Sequence, residues 1–80
     1  MAREAREFEV LGFGYTHDAL AAESILKDMG VPAAVIPAPR ALGSLCGIAI
    51  RLEPADAERA ERLLTNADVR PTGRATITNL

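Results

Sequence analysis

Apolar and polar residues change period several times along this chain, and each period predicts an element. In FEVLGFG, Phe8 to Gly14, the alternation places Phe8 and Val10 on one side and Leu11 and Phe13 on the other. It predicts a strand whose sheet carries apolar residues on both faces, with Gly12 and Gly14 marking a bulge or a close backbone approach. YTHDALAAESILKDMG then changes to a helical period: Ala19, Ala22, Leu26 and Met29 recur on one stripe, with Ile25 beside them. Thr16 is the expected N-cap. Asp18 suits the positive end of the helix dipole, Glu23 and Lys27 are spaced as an i,i+4 pair, and Gly30 supplies a left-handed C-terminal residue. VPAAVIP, flanked by Pro32 and Pro37, predicts a short strand, and APRALGSL a polar turn. In CGIAIRLE, Cys46, Ile48, Ile50 and Leu52 alternate with Gly47, Ala49, Arg51 and Glu53, which predicts a cleaner strand. Pro54 opens a second helix, with Ala57, Ala60, Leu63 and Leu64 as its apolar stripe. From Val69 the residues Val69, Pro71, Ala75 and Ile77 alternate with arginines and threonines as a last strand, and Pro71 points to an edge or an irregular start.

The order strand, helix, strand, strand, helix, strand is that of the ferredoxin-like α+β sandwich, βαββαβ, with a four-stranded antiparallel sheet and two helices on one face. We expect a single domain over residues 1–80, with its core at about 8–68, a flexible N-terminus at 1–7, and the last strand and tail at 69–80. The sheet face without helices would hold one of the pairs Phe8/Val10 or Leu11/Phe13, plus Val35 or Ile36. An open apolar face predicts a homodimer or docking to another domain.

Composition narrows the function classes. The chain has 80 residues, a net charge of −2, no Trp, one Tyr and two Phe, so the core must be small and aliphatic. This charge argues against nucleic acid as the main partner, since phosphate binding wants a basic face. The start, MAREAREFEV, lacks the apolar segment of a signal peptide. No apolar run approaches the ~20 residues that cross a bilayer. The expectation is a soluble, cytoplasmic protein with no membrane contact.

Cys46 is the only cysteine, so no internal disulfide can form, which fits a reducing compartment. The topology brings it to the end of the sheet where the first helix begins, close to His17 and Asp18. A thiol reacts as its thiolate, and a helix N-terminus, an arginine or a protonated histidine favours that anion. Arg40 lies in the same loop, and Gly43 and Gly47 let backbone amides turn towards a bound anion. Two readings remain open. Cysteine is among the most buried residue types, and Cys46 shares its parity with Ile48, Ile50 and Leu52, so it can be a packing residue. It can equally be a working thiol, with His17 assisting proton transfer. Ser44 reads first as turn chemistry. One cysteine and one histidine do not make a metal site, GFG is too little for a dinucleotide fingerprint, and we expect no metal and no cofactor.

The stretch PAPRALGSLCGIAIRL resembles a family of small bacterial domains, the selenium/sulfur carrier-like domains. Pro39 and Arg40 match its Pro-Arg step, Leu42 its aliphatic position, Ser44 one of its serines, and Cys46 with Gly47 its Cys-Gly pair. Ala19 to Pro32 is similar to its first helix, with Glu23 and Lys27 in place, and the resemblance spans roughly Phe8 to Asp68. Gly43 stands where the family more often has Ser, so the resemblance implies that this chain holds a bound chalcogen there less well or through the backbone. The resemblance implies a carrier rather than a stand-alone enzyme. Cys46 would form a persulfide or selenosulfide, Arg40, Gly43, Ser44, Gly47 and His17 would surround it, and sulfur or selenium donor and acceptor proteins would be its partners. The alternative is a ferredoxin-like binding or assembly module in which Cys46 only packs.

Overall fold

A computed structural model describes residues 6–42 and 46–78. Its elements follow the expected order: β1 (Glu7–Gly12), α1 (Thr16–Asp28), β2 (Ala33–Pro37), β3 (Ile48–Leu52), α2 (Ala57–Asn66) and β4 (Gly73–Thr78). A 3-10 turn at Arg40–Leu42 lies between β2 and β3, and another at Pro54–Asp56 leads into α2. The strands form one sheet in the order β2-β3-β1-β4, and every neighbouring pair is antiparallel. This is the ferredoxin-like arrangement.

The parity of β1 divides the core. Leu11 and Phe13 face the helices and join Ile50, Leu52, Ala19, Ala22, Leu26, Ala60 and Leu64 in one buried cluster. Both helices therefore cover the same face of the sheet. Val10 points to the other face and is buried with Ala49 and Leu42, against which Ile36, Ala38, Ala75 and Ile77 pack. The face that the helices leave is thus not bare. Leu42, from the 3-10 turn, sits on it and Val10 is 0% exposed. Phe8 lies under the guanidinium groups of Arg6 and Arg51, 4.8 and 4.6 Å from its ring centroid. Much of the apolar surface that argued for a homodimer is therefore covered within one chain.

The helix ends show which sequence signals acted. Tyr15, not Thr16, is the N-cap of α1, in extended backbone and with no side-chain cap, and its carbonyl accepts from Asp18 and Ala19. After a bend at Gly14 and Tyr15, with Tyr15 itself in extended dihedrals, Thr16 is already the first helical residue. Gly30, at φ +75°, ends α1 as expected. Its N–H donates to the Lys27 carbonyl and that of Val31 to Leu26, the paired bonds of a Schellman motif. Met29 falls in that end and is 48% exposed rather than part of the buried stripe. The end of α2 repeats the motif with Asp68 at φ +60° in the left-handed position. Val69, the next residue, donates to the Leu64 carbonyl and packs against the core.

Candidate functional site

The register fixes which segments meet at one end of the sheet. Gly12 is opposite Ala49 and Gly73, and Ile36 is opposite Ala49. The exit of β1 towards α1, the turn from β2 to β3, and the approach to β4 therefore lie at that end. Cys46 is two residues before β3 and belongs to it.

Cys46 is half-buried and packs against the helix-side cluster. Its Sγ donates to the carbonyl of Ile48 at 3.3 Å. The side chain thus continues the inward parity of Ile48, Ile50 and Leu52 beyond the end of the strand, without the full burial of the last two. Gly47 follows at φ +81° with open space where a Cβ would stand, so its glycine is required by the dihedral rather than by crowding. Its carbonyl accepts from the Ala38 N–H at 2.9 Å, which ties the two ends of the loop together.

His17 is turned to solvent, its side chain 81% exposed, and is engaged with its neighbours: Nε2 is 3.3 Å from Asp18 Oδ1, and the ring stacks on Tyr15 at 5.6 Å. Arg40 opens the 3-10 turn and is exposed. Gly43 and Ser44 lie outside the described residues. The last turn of the loop before them carries a residue that motif reading named only as an aliphatic match: Leu42 is 7% exposed. A second residue, Gly73, was passed over altogether. A Cβ there would stand 2.9 Å from the Leu42 carbonyl oxygen, so the turn can approach β4 only because this position has no side chain. An apolar residue isolated in a polar turn was the available signal for the first. Nothing in the sequence marked the second.

Two surface depressions lie away from Cys46. One, of about 460 Å³, runs along α2 between Glu58, Glu61, Arg62, Thr65 and Asn66. The other, of about 170 Å³, is lined by residues that include Phe8, Pro32, Arg51 and Glu53. Neither includes a residue of the sequence-predicted site. Among the described residues no group of three or more His, Cys, Asp or Glu could hold a metal ion, and no helix is long and apolar enough to cross a membrane.

The family model described as "Putative Se/S carrier protein-like" matches residues 9–74, which take in most of β1, both helices, the β2–β3 loop with Cys46, and the start of β4. No curated protein matches the chain.

Proposed function

We propose, from the premise that this chain belongs to the Se/S carrier protein-like family, that it carries sulfur or selenium on Cys46. The supporting observation is the position of that side chain. It is half-buried in a loop at the end of the sheet, outside the strand ladder, and followed by a left-handed glycine. In the loading step the Cys46 thiolate attacks the terminal sulfur of a donor persulfide. The new S–S bond forms as the donor's S–S bond breaks, and the donor leaves as a thiolate that takes up a proton. The transfer is redox-neutral and needs no cofactor. In unloading, an acceptor thiolate attacks the outer sulfur and Cys46 is restored. A selenosulfide would form and discharge in the same way. Arg40, Gly47 and His17 share the end of the fold where the anion would develop, and Gly43 and Ser44 belong to the same loop. Such a thiol belongs in a reducing cytoplasm.

The partners are a donor and an acceptor protein, each bearing a thiol. The test is mass spectrometry of the purified protein after exposure to a low-molecular-weight persulfide. We expect a gain of one sulfur atom that a thiol reductant removes and that is absent from Cys46→Ser. An unmodified wild-type protein would overturn the reading.

A second reading has its own observation. Cys46 packs against the core cluster, so the domain can be a binding or assembly module in which the sulfur fills space. In that case Cys46→Ser lowers stability by about 1–3 kcal/mol and leaves cellular function intact once the protein is folded.

A further inference from the structure

The two edges of the sheet, β2 and β4, differ in what they offer a further strand. At β2 the Ala38 N–H donates to the Gly47 carbonyl, one step beyond the Pro37–Ile48 pair. Antiparallel pairs alternate between bonded and non-bonded. Pro37 is therefore a position whose backbone nitrogen turns outward, and it has no N–H to give. Pro32 stands just before the same strand. Prolines so placed blunt an edge. β4 reads GRATIT: it contains no proline, and it ends in β-branched residues that favour strands. Its one charge does not guard it either, because Arg74 is held within its own chain by Glu9 and Glu61, each at 3.3 Å. On the helix side Arg74, Thr76 and Thr78 form an exposed row, a polar shelf that α2 leaves uncovered. Glu61, the partner of Arg74, shares one face of α2 with Glu58, Arg62 and Thr65, along the depression of about 460 Å³. Glu58 and Arg62 are exposed, and neither makes an ion pair among the described residues.

We propose that β4 pairs antiparallel with β4 of a second copy of this chain, about a two-fold axis through Ala75, to give one eight-stranded sheet. This register is complementary on both faces. On the helix side each Arg74 lies opposite Thr76 of the other copy, so no like charges meet. On the other side Ala75 lies opposite itself. Ile77, half-buried in the single chain, lies opposite Gly73, the position without a side chain beside Leu42. Above the shared shelf the two α2 helices run antiparallel. α2 returns from the end of β3 to the start of β4, so it runs opposite to β4, and one residue along the strand is worth about two along the helix. With Arg74 level with Glu61, the axis passes α2 between Glu58 and Arg62. Arg62 of each copy then faces Glu58 of the other, and the ion pair forms twice. Cys46 precedes β3, which lies two strands from β4, and takes no part in the joint. The pairing therefore does not rest on the carrier reading.

The experiment is sedimentation equilibrium across the micromolar range, with urea unfolding on the same samples to show that each variant is folded. Wild type should form a dimer. Arg62→Glu sets Glu58 against a second carboxylate and should raise the dimer Kd at least tenfold. Adding Glu58→Arg to it restores the complement and should recover the wild-type Kd. Thr76→Lys, opposite Arg74 of the other copy, should leave only monomer, while Glu9 in its own chain accommodates the new cation. Where Thr76→Lys does not fold, the charge reversals at exposed positions of α2 decide alone. The register is read by a disulfide. In a Cys46→Ser background, Ala75→Cys should cross-link two copies under oxidised glutathione, and Ala34→Cys, on the same face at the other edge, should not. A wild type that stays monomeric throughout overturns the proposal. So does a dimer that is indifferent to Arg62→Glu and Thr76→Lys, or one that Ala34→Cys cross-links in place of Ala75→Cys, since either puts association on another surface.

Discussion

Three of the described residues hold left-handed backbone, Gly30, Gly47 and Asp68, and only Asp68 is not a glycine. Gly47 at φ +81° directly follows Cys46, whereas Asp68 at φ +60° ends α2. An L-residue in this region is opposed by its own Cβ, and Asp tolerates it better than most. Asp68 has one close ionic neighbour, Arg70 at 3.8 Å, and both side chains are exposed, so that pair contributes little. Asp68→Gly should therefore stabilise the protein by about 0.5–1 kcal/mol, seen as a higher urea midpoint with an unchanged slope. A lower midpoint would mean that the Asp68 carboxylate matters more than its backbone strain. Gly47→Ala should do the opposite and lower stability by about 1–2 kcal/mol, although there is ample room for the methyl group. The contrast explains what was legible. Gly30 announced a helix end because glycine is the residue for that position. Asp68 fills the same position at the end of α2 without the same advertisement. Thr16 carried the right chemistry for a cap one residue too late, because the backbone, not the hydroxyl, decided where the helix began.

At the scale of elements, the alternation of Cys46, Ile48, Ile50 and Leu52 and the helical stripes at Ala19, Ala22, Leu26 and at Ala57, Ala60, Leu64 located the strands and helices, because burial imposes period directly. The 3-10 turn was not legible, because three residues are too few for a period and its role depends on Gly73, thirty-one positions after Leu42. The polar tie between α2, β1 and β4 was hidden for the same reason. Arg74 bridges Glu9 and Glu61, each at 3.3 Å, and Thr76 Oγ1 donates to the Glu9 carboxylate at 3.1 Å. Only 13% of the Glu9 side chain is exposed, on the helix face of an interior strand. The Arg74 pKa is raised, first by its hydrogen bond to Glu9. A raised pKa on a cation means that its contribution is complete below its ordinary, strongly alkaline value and is lost only as pH rises beyond it. Across neutral pH Arg74 therefore adds no pH dependence, and salt is the useful variable. Arg74→Met should lower stability by about 1–2 kcal/mol by leaving Glu9 with a weaker set of partners, partly offset because Arg74 itself is over a third exposed. Added salt should narrow the gap between wild type and variant. A gap that salt does not change would show that packing of the arginine stem, not charge, holds this corner.

For the whole molecule, the question is how a chain with two apolar sheet faces, one of them covered by α1 and α2, keeps the second face from water. The answer lies in three devices: Leu42 over Val10 and Ala49, half-buried small and branched residues at Ile36, Ala38, Ala75 and Ile77, and guanidinium groups over Phe8. The third shields by a different physics. Each guanidinium lays a weakly hydrated, planar cation on the ring and keeps its polar edge outward, for about 0.5–1 kcal/mol at such a site. Phe8 pairs across the sheet with Ile77, so stripping one cation would join the ring to neighbouring apolar surface and enlarge the patch that favours association. Arg51→Ser leaves the Arg6 and Glu53 contact intact and removes only that shield. Sedimentation velocity over a range of concentrations should then show more self-association for Arg51→Ser than for wild type, with little change in the unfolding midpoint. If both proteins sediment alike at every concentration, the cations over Phe8 do not govern association, and Leu42 with its neighbours covers that face well enough alone.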